Sequence, residues 1–501
     1  MTWPELHGVL RHSGLLVSGP SGTVPAVVSG IAYDSRRVEP GHLFVALRGQ
    51  RADGSAFVQQ AISRGAVAVV SQEPALADVP VAWAQVSDAR LALALLASAF
   101  HGHPSARMRI VGITGTNGKT TTAYLMASVF EAAGIRCGLL GTVEYRVGTV
   151  VREATRTTPE APDVQELLAE MVEQGCGACV MEVSSHALAL RRVDGMQFAA
   201  GVFTNLTRDH LDFHADMEDY FQAKLRLFQL LPREHPAVIN ADDPKASAVA
   251  EAAGRSITYG INRPADVSPA PLSFSLAGLA FQVRTPKGPV SVRSSLVGRP
   301  NVYNILAAVA TGIALDLPIP AIEQGIASLS AVPGRFQVVS QPGDDVTAVV
   351  DYAHTDDALK NLLETARPLA TGRIITVFGC GGDRDRTKRP LMGAVAGRLS
   401  DVIYITSDNP RSEDPARIIE EIQRGITPDT RRATGQRIVA VVDRQQAIDA
   451  AIEAATPGDL ILIAGKGHEK QQVIGSQTLP FDDVEVARAA LARRRQGQGV
   501  R

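Results

Sequence analysis

The fold is decided by residues 108–133, MRIVGITGTNGKTTTAYLMASVFEAA. The apolar run that ends at Thr114 predicts a buried parallel strand, and residues 115–120 predict a tight loop. From Thr121 onward the pattern predicts an amphipathic helix that ends before Gly134. Strand, glycine-rich loop and helix in this order are typical of a polyphosphate site, because the loop N–H groups and the helix N-terminus face the same anion.

The residue types in the loop indicate which anion is bound. Lys119 can reach terminal phosphates, and the Thr120 hydroxyl can ligate Mg²⁺. The spacing matches a short G-T-N-G-K-T-T variant, because Ile113 stands where the longer G-x-x-x-x-G-K-[ST] loop has its first glycine. We expect a nucleoside triphosphate, bound by Gly115, Thr116, Asn117, Gly118, Lys119, Thr120 and Thr121.

Composition restricts the class of protein. At 501 residues the chain is too long for one compact core, and about two to four domains are expected. With 45% apolar and 20% charged residues it fits a soluble globular protein, and a net charge of −2 gives no general attraction to nucleic acid. Without a signal-peptide core or an apolar run of membrane length, it is expected to be cytoplasmic, with no membrane insertion.

Four cysteines in so long a chain form no disulfide framework. Cys176 and Cys179 make a lone C-x-x-C that leads into an apolar strand. Buried thiols are the expected interpretation, and zinc or redox chemistry is the alternative.

The pattern of apolar runs predicts three α/β domains. Residues 1–107 form a small domain with β-like runs and one helical pattern, residues 108–334 a central phosphate-loop ATP-binding domain, and residues 335–501 a Rossmann-like domain. The N-terminal strands are expected at 24–31, 42–46, 66–70 and 81–85, with a helix at 88–100; residues 237–297 are expected to be β-rich. The C-terminal strands are expected at 346–350, 373–378, 402–406, 437–442 and 460–464.

Polar clusters follow many of these strands. In the C-terminal domain they occupy residues 351–354, 379–385, 407–411, 443 and 465–469, where open α/β sheets bind ligands. Arg384, Arg386, Lys388 and Arg389 suit a carboxylate or a phosphate. The N-terminal clusters at 33–36 and 48–54 can be solvated turns or a ligand site.

Glu182 interrupts an otherwise apolar strand at its carboxyl end. In the same sheet as the phosphate loop it is a candidate Mg²⁺ ligand, directly or through water. The alternative is an ion-paired glutamate on an edge strand.

Lys224 shares one face of a predicted helix, residues 219–231, with Phe221, Leu225 and Phe228. A lysine there can extend its stem along the aromatic rings and keep its charge in water. Alternatively, desolvation lowers its pKa, and the neutral amine takes up CO₂ to give a carbamate that binds a metal ion.

Asn301 and Asn304 lie on one face of the first turn of another predicted helix. They can hydrogen-bond a base or phosphate, or serve as helix caps. The Pro333-Gly334-Arg335 turn that follows this helix is the expected domain boundary.

In order along the chain, several motifs resemble the Mur ligases of peptidoglycan synthesis. They are GTNGKTT (115–121), EVSSH (182–186), TN and DHLD (204–205, 209–212), Lys224 in AKLRLF, N-x-x-N (301–304), PGR (333–335), DYAH (351–354) and GKGHE (465–469). The resemblance covers essentially the whole chain. Within the family it is to the branch that adds the third amino acid to UDP-N-acetylmuramoyl-L-alanyl-D-glutamate.

The resemblance implies an ATP-dependent ligase that phosphorylates the D-glutamate γ-carboxylate and then couples an amine to the acyl phosphate. It implies Mg²⁺ held by Thr120 and Glu182, a second ion at a carbamylated Lys224, and catalytic roles for Lys119, Lys224 and His210. Asn301, Asn304, Arg335 and Asp351 would complete the nucleotide pocket. The enzyme is expected to act as a monomer.

The resemblance also implies the contacts of the UDP-sugar peptide. These would be made by Tyr33, Ser35, Gln50, Arg51, Ala52, Thr157, Thr158, Ser184 and Arg192. Two positions depart from the family pattern: Leu190 stands where related sequences often have glutamine, and Arg156 where some have asparagine.

The D-N-P-R motif, residues 408–411, matches the branch that adds meso-diaminopimelate. The resemblance assigns amino-acid binding to Arg389, Asp408, Asn409, Pro410, Arg411, Gly465 and Glu469. Arg411 and Arg389 can bind the distal carboxylate of diaminopimelate, whereas lysine or ornithine would leave them without a partner. Lysine or ornithine remains the alternative, followed by a folylpolyglutamate synthetase-like ligase and a non-catalytic nucleotide-binding regulator.

Overall fold

A computed structural model describes residues 1–49, 53–75, 79–272, 275–276, 278–432 and 435–498. The expected substrate contacts Gln50, Arg51 and Ala52 lie outside these ranges. Among the helices within them, none combines the length and the apolar character needed to cross a membrane.

The N-terminal part folds around a five-stranded sheet in the order β1-β5-β4-β3-β2, in which only β1 is antiparallel to its neighbour. Its helix α3 begins where Asp88 accepts hydrogen bonds from the N–H groups of Arg90 and Leu91. The elements are α1 (Trp3–His12), β1 (Leu16–Ser21), β2 (Gly30–Ala32), β3 (His42–Ala46), α2 (Val58–Ser63), β4 (Ala68–Ser71), β5 (Ala82–Val86) and α3 (Ala89–Phe100).

An eight-stranded sheet forms the central part, in the order β13-β12-β11-β6-β10-β7-β8-β9. All of its strands are parallel except the hairpin β8–β9 at one edge. The elements are β6 (Arg109–Thr114), α4 (Lys119–Ala132), β7 (Cys137–Leu140), β8 (Glu144–Val147), β9 (Val150–Glu153), α5 (Ala161–Glu173), β10 (Ala178–Glu182), α6 (Ser185–Ala189), β11 (Ala200–Phe203), α7 (Met217–Gln229), β12 (Pro236–Asn240), α8 (Ala246–Ala252) and β13 (Arg255–Tyr259).

Helices cover both faces of this sheet, which explains why its inner strands are apolar throughout. Val111 and Ile113 of β6 pack in one core with α4, whereas Ile110 packs in the other with α5 and α7. A small antiparallel sheet and two helices complete the first core: β14 (Ser268–Pro269), β15 (Leu279–Arg284), β16 (Val290–Ser294), α9 (Arg299–Ala314) and α10 (Ile319–Ser328).

The C-terminal part has a six-stranded sheet in the order β17-β18-β22-β19-β20-β21, parallel except for β17, and a separate hairpin. Helices α11, α12 and α13 cover one face, and α14 and α15 cover the other. The elements are β17 (Gln337–Val338), β18 (Thr347–Asp351), α11 (Asp356–Ala366), β19 (Ile374–Phe378), α12 (Lys388–Leu399), β20 (Val402–Ile405), α13 (Pro415–Gln423), β21 (Arg437–Ala440), α14 (Arg444–Glu453), β22 (Leu460–Ala464), β23 (Gln471–Ile474), β24 (Gln477–Pro480) and α15 (Asp483–Gln498).

This architecture confirms the predicted mixed α/β class. The bounds of some helices and strands differ from the prediction. Helix α4 begins at Lys119 rather than Thr121, and helix α8 interrupts the stretch expected to be β-rich. Only the last two residues of the run expected at 24–31 belong to a strand, β2. Cys176 and Cys179 are buried free thiols, and their burial raises the pKa of both.

Candidate active site

The glycine-rich loop is held against the end of β11. The Thr116 N–H donates to Asn205 O over 2.8 Å, and the Asn117 N–H donates to Asn205 Oδ1 over 2.9 Å. At Gly115, where φ is +143°, an added Cβ would lie 1.9 Å from Thr204 Oγ1. A side chain there would therefore push the loop away from β11.

The loop leads directly into the N-terminus of α4. Gly118, with φ of +88°, is the residue before the helix, and Thr120 and Thr121 are buried in the first turn. Free N–H groups and the positive end of the helix dipole thus face the space that the loop encloses. This is the geometry expected for phosphate binding.

Two lysine side chains converge on the same loop carbonyl. Lys119 Nζ donates to Gly115 O over 3.0 Å and to Thr116 O over 2.8 Å. Lys224 Nζ, on α7, donates to Gly115 O over 2.8 Å. Desolvation lowers the pKa of Lys119, and desolvation together with the Lys119 charge holds the pKa of Lys224 well below its usual value.

Lys224 does not extend to solvent, as the first interpretation of its helix face would require. Its side chain is 1% exposed, and Nζ lies 4.4 Å from the centre of the Tyr220 ring. The buried, electropositive surroundings favour a neutral amine, which is the form that reacts with CO₂. The chemistry of this position therefore fits a carbamate.

Glu182 lies at the carboxyl end of β10, between β6 and β7, so it is not on an edge strand. Its side chain is 1% exposed, and no lysine or arginine of the described residues forms an ion pair with it. Thr142 holds the carboxylate instead: its N–H donates to Oε1 over 2.8 Å and its hydroxyl to Oε2 over 3.0 Å. The sequence reasoning missed Thr142.

The residues present fit a metal ion that is shared with a phosphate. Within the described ranges, no group of three or more histidine, cysteine or acidic side chains is arranged to hold a metal by itself. Magnesium commonly takes one or two carboxylates and completes its shell with substrate phosphates and water. Glu182, oriented but without a cation, and the Thr120 hydroxyl match that donor set.

His210 stands beside the lysine pair in a left-handed backbone conformation, with φ of +55°. Its N–H donates to Asp209 Oδ1 over 2.8 Å, and its ring meets the His186 ring edge-on at 4.9 Å between centroids. Burial lowers the pKa of His210 to about 4, so its ring is neutral near pH 7.

Asn301 and Asn304 lie behind the loop, on the buried side of α9. Asn304 Nδ2 donates to Asn301 Oδ1 over 2.9 Å, and Asn301 Nδ2 donates to Val297 O over 2.8 Å. Asn304 Oδ1 accepts from the Thr122 hydroxyl on α4 over 3.4 Å. The pair thus joins α9 to the phosphate-binding helix, next to where a nucleotide would lie.

Arg335 and Asp351 approach from the C-terminal part. Arg335 Nη2 donates to Thr120 Oγ1 over 3.2 Å, and its guanidinium lies 4.7 Å from the centre of the Tyr352 ring. Asp351 accepts hydrogen bonds from the Phe336 N–H (2.7 Å) and the Ala353 N–H (2.8 Å), and burial raises its pKa. Arg335 therefore contacts the loop directly, whereas Asp351 shapes the turn that carries Arg335.

The expected contacts of the UDP-sugar peptide fall into two groups. Thr157, Thr158, Ser184 and Arg192 surround the end of β10; for example, the Thr158 hydroxyl donates to Glu182 O over 2.8 Å, and Arg192 Nη1 donates to Thr158 O over 3.0 Å. Tyr33 and Ser35 lie in the N-terminal part, where the Tyr33 hydroxyl donates to Asp163 over 2.6 Å.

A cleft of about 440 Å³ separates the central and C-terminal parts. His186, Asp209 and His210 line its central wall. The C-terminal wall is formed by residues that follow the carboxyl ends of strands in the six-stranded sheet. They are Tyr352, His354, Thr355, Asp356, Gly381, Arg384, Asp385, Lys388, Asp408, Asn409, Arg411, Gly465 and Glu469. The wall carries both cations and carboxylates, which suits a zwitterionic ligand.

The contacts of Arg389 do not support the expectation that it binds the amino acid. Its side chain is 0% exposed and its guanidinium forms hydrogen bonds of 2.8–2.9 Å with both Glu413 and Glu421. Arg384, from the same basic cluster, is exposed and lines the cleft with Arg411. Arg384 lies in the glycine-rich loop that follows β19. That position in the sequence could have identified it as a cleft residue.

Three family models match successive parts of the chain: the Mur ligase family catalytic domain at residues 27–101, the Mur ligase middle domain at 113–312, and the Mur ligase glutamate ligase domain at 334–467. A protein of Geobacter metallireducens named UDP-N-acetylmuramoyl-L-alanyl-D-glutamate--2,6-diaminopimelate ligase is 48% identical over 96% of this chain and 98% of its own. A protein of Solibacter usitatus with the same name is 50% identical over 93% of each chain.

Solved structures agree with these sequence relatives. One of a UDP-N-acetylmuramoyl-L-alanyl-D-glutamate--2,6-diaminopimelate ligase has a TM-score of 0.69 and 33% identity, with 99% of both chains covered. The Thermotoga maritima MurF ligase in complex with ADP shares the fold, with a TM-score of 0.62 at 18% identity. The chain belongs to the Mur ligase family of ATP-dependent, amide-bond-forming ligases.

Proposed function

We propose that this ligase joins meso-2,6-diaminopimelate to the D-glutamate of UDP-N-acetylmuramoyl-L-alanyl-D-glutamate, with cleavage of ATP to ADP and phosphate, in peptidoglycan synthesis. The names of its relatives support this substrate pair. One observation carries the proposal: a single cleft has His210, beside the loop lysines, on one wall and Arg411 with Glu469 on the other.

The chemistry begins with the acceptor carboxylate. A γ-carboxylate oxygen attacks the terminal phosphorus of ATP, and ADP leaves. Lys119, at the loop, is in position to neutralise charge on the transferring phosphoryl group, and the α4 N-terminus holds the remaining phosphates. Exclusion of water when the two walls close on the substrates would protect the acyl phosphate against hydrolysis.

The second step uses the amine. The neutral amine of the amino acid attacks the carbonyl carbon of the acyl phosphate. The tetrahedral intermediate then expels phosphate with the bridging oxygen, and the departing phosphate takes the proton that the nitrogen loses. The C-terminal wall contributes by holding the amino acid so that its amine faces the acceptor, which converts a bimolecular encounter into a local one.

Thr120 and Glu182 would hold one Mg²⁺ together with the triphosphate, and a carbamylated Lys224 near His210 would hold a second. When bound, such ions neutralise phosphate charge and polarise the phosphoryl oxygens. The burial of Lys224 and the hydrogen bonds of Thr142 to Glu182 are the observations in favour of this assignment.

Arg384 and Arg411 favour diaminopimelate over a simpler diamino acid. Both line the cleft, and both can donate to the distal carboxylate that lysine and ornithine lack. Each hydrogen bond to a charged group contributes about 1.5–3 kcal/mol, which a ligand without the distal carboxylate would not gain. This is enough for strong discrimination.

The wider organisation belongs to the same proposal. Residues 1–107 would bind the UDP moiety, residues 108–334 the ATP, and residues 335–501 the amino acid. The enzyme would act as a monomer in the cytoplasm.

A phosphate-release assay with the UDP-muramoyl dipeptide, ATP and one of three amino acids tests the proposal. Release with meso-diaminopimelate, and little with lysine or ornithine, is the expected result. Equal or preferred use of lysine or ornithine would overturn the specificity. No release with any of the three would overturn the ligase assignment.

A further inference from the structure

Lys466 is a buried cation behind the C-terminal wall of the cleft. It follows β22, and its side chain is 0% exposed. Its Nζ donates to Asn409 Oδ1 over 3.0 Å and to Glu469 Oε2 over 3.1 Å. Burial of an ammonium group is costly unless it is paired, so the two contacts must compensate for its desolvation.

These contacts determine which way the Asn409 amide points. Asn409 Oδ1 accepts from Lys466 Nζ and, over 3.0 Å, from the Val473 N–H. A flipped amide would place its NH₂ group against both donors. The oxygen therefore faces Lys466, and Nδ2 points to the other side, where it donates to Glu469 Oε2 over 2.8 Å.

Glu469 is oriented by the same pair of donors. Its Oε2 accepts from Lys466 and Asn409, whereas its Oε1 has no hydrogen-bond partner among the described residues. Glu469 and Asn409 both line the cleft. An ammonium group of the ligand can thus approach Oε1, and a carboxylate can approach the second hydrogen on Asn409 Nδ2.

We propose that Lys466 is a positioning residue for amino-acid selection: it fixes the Asn409–Glu469 pair so that one end of the pocket presents a donor and an acceptor side by side. That arrangement matches a carbon bearing both an ammonium and a carboxylate group, as at the distal end of a diamino-dicarboxylic acid. This inference rests on the proposed function. It extends that function to a residue behind the pocket, since Lys466 is not among the residues that line the cleft.

The test replaces Lys466 by methionine, which keeps an unbranched side chain of similar length without the charge. Wild-type enzyme is assayed first with all three amino acids, so that failure of the proposed function is seen before any variant is compared. We expect Lys466→Met to raise the KM for meso-diaminopimelate by about 10- to 100-fold and to reduce the preference over lysine. The KM values for ATP and the UDP-muramoyl dipeptide should stay within about 2-fold, since those sites lie elsewhere.

Two further variants make the result decisive. Lys470→Met removes an exposed lysine of the same loop, paired with Asp482, and should leave every constant unchanged. Lys466→Gln keeps a neutral donor; if the methionine variant does not fold, this variant carries the test, with a smaller rise in the same KM. Wild-type KM and selectivity in the folded variant, or a loss of kcat with all KM values unchanged, would overturn the proposal.

Discussion

At the residue scale, the two key lysines differ from surface lysines in their pKa as well as in their position. Desolvation lowers the pKa of Lys119 and, more strongly, that of Lys224. Both donate to the Gly115 carbonyl in this structure. A carbamate on Lys224 would keep one N–H, so it could preserve this hydrogen bond while adding a negative charge beside Lys119.

Lys224→Ala is predicted to abolish turnover, because it removes the group that would become the carbamate. Added short-chain carboxylic acid should restore part of the activity by supplying an anion in the space that the side chain leaves. Phosphate release with and without the acid measures both effects. Lys245→Ala, which removes a partly exposed lysine paired with Glu218 of α7, serves as the control. Full activity in Lys224→Ala would refute the carbamate role.

Replacement by methionine is predicted to affect stability at Arg389 and amino-acid binding at Arg384. Arg389→Met leaves Glu413 and Glu421 facing each other without their shared cation, so the free energy of unfolding should fall by about 2–4 kcal/mol. Arg384→Met should leave stability nearly unchanged and raise the KM for diaminopimelate about 10-fold. Thermal unfolding and steady-state kinetics distinguish the two; a reversed pattern would restore Arg389 to the pocket.

At the scale of elements, local patterns predicted β6, the loop and α4 because their signals lie within a few residues of each other. Glycine at positions 115 and 118, the apolar run before them and the periodicity after them are all sequence-local. The short alanine-rich α8 has little periodicity to detect. The role of Arg389 was not predictable in this way, because its partners Glu413 and Glu421 lie 24 and 32 positions away along the chain.

Gly118→Ala is predicted to weaken ADP binding by at least about 10-fold. An alanine Cβ would lie 2.4 Å from Asn304 Oδ1, at a φ of +88° that disfavours any side chain, so the loop backbone or the buried Asn304 side chain must move. Gly134→Ala, at the other end of α4, has open space and should cost only about 1 kcal/mol of stability without changing ADP affinity. Calorimetric titration of ADP compares them; equal affinities would contradict the loop assignment.

At the scale of the whole molecule, the C-terminal part contacts the phosphate loop directly. Asp357, in the first turn of α11, accepts hydrogen bonds from Asn117 Nδ2 (3.1 Å) and the Thr207 hydroxyl (2.9 Å). Arg335 contacts Thr120 in the same region. These contacts connect the C-terminal wall of the cleft to the loop.

Asp357→Ala is predicted to lower kcat about 10-fold and to leave the affinity for ADP unchanged, because it removes a contact that brings the two walls together without altering the loop backbone. Glu364→Ala, on the same helix and paired only with exposed Lys360 among the described residues, is the matched control. ADP titration measures nucleotide binding, and steady-state turnover reports the approach of the two cleft walls. A rise in the ADP dissociation constant that matches the loss of kcat would show that Asp357 acts on nucleotide binding.

The most direct measurement follows one oxygen atom through the reaction. The D-glutamate γ-carboxylate of the UDP-muramoyl dipeptide is labelled with ¹⁸O, and the phosphate released in the presence of ATP and diaminopimelate is analysed by mass spectrometry. If the carboxylate is phosphorylated and the amine then displaces phosphate, each released phosphate carries one oxygen from the γ-carboxylate. Phosphate without label, released while the amide product forms, would contradict the account.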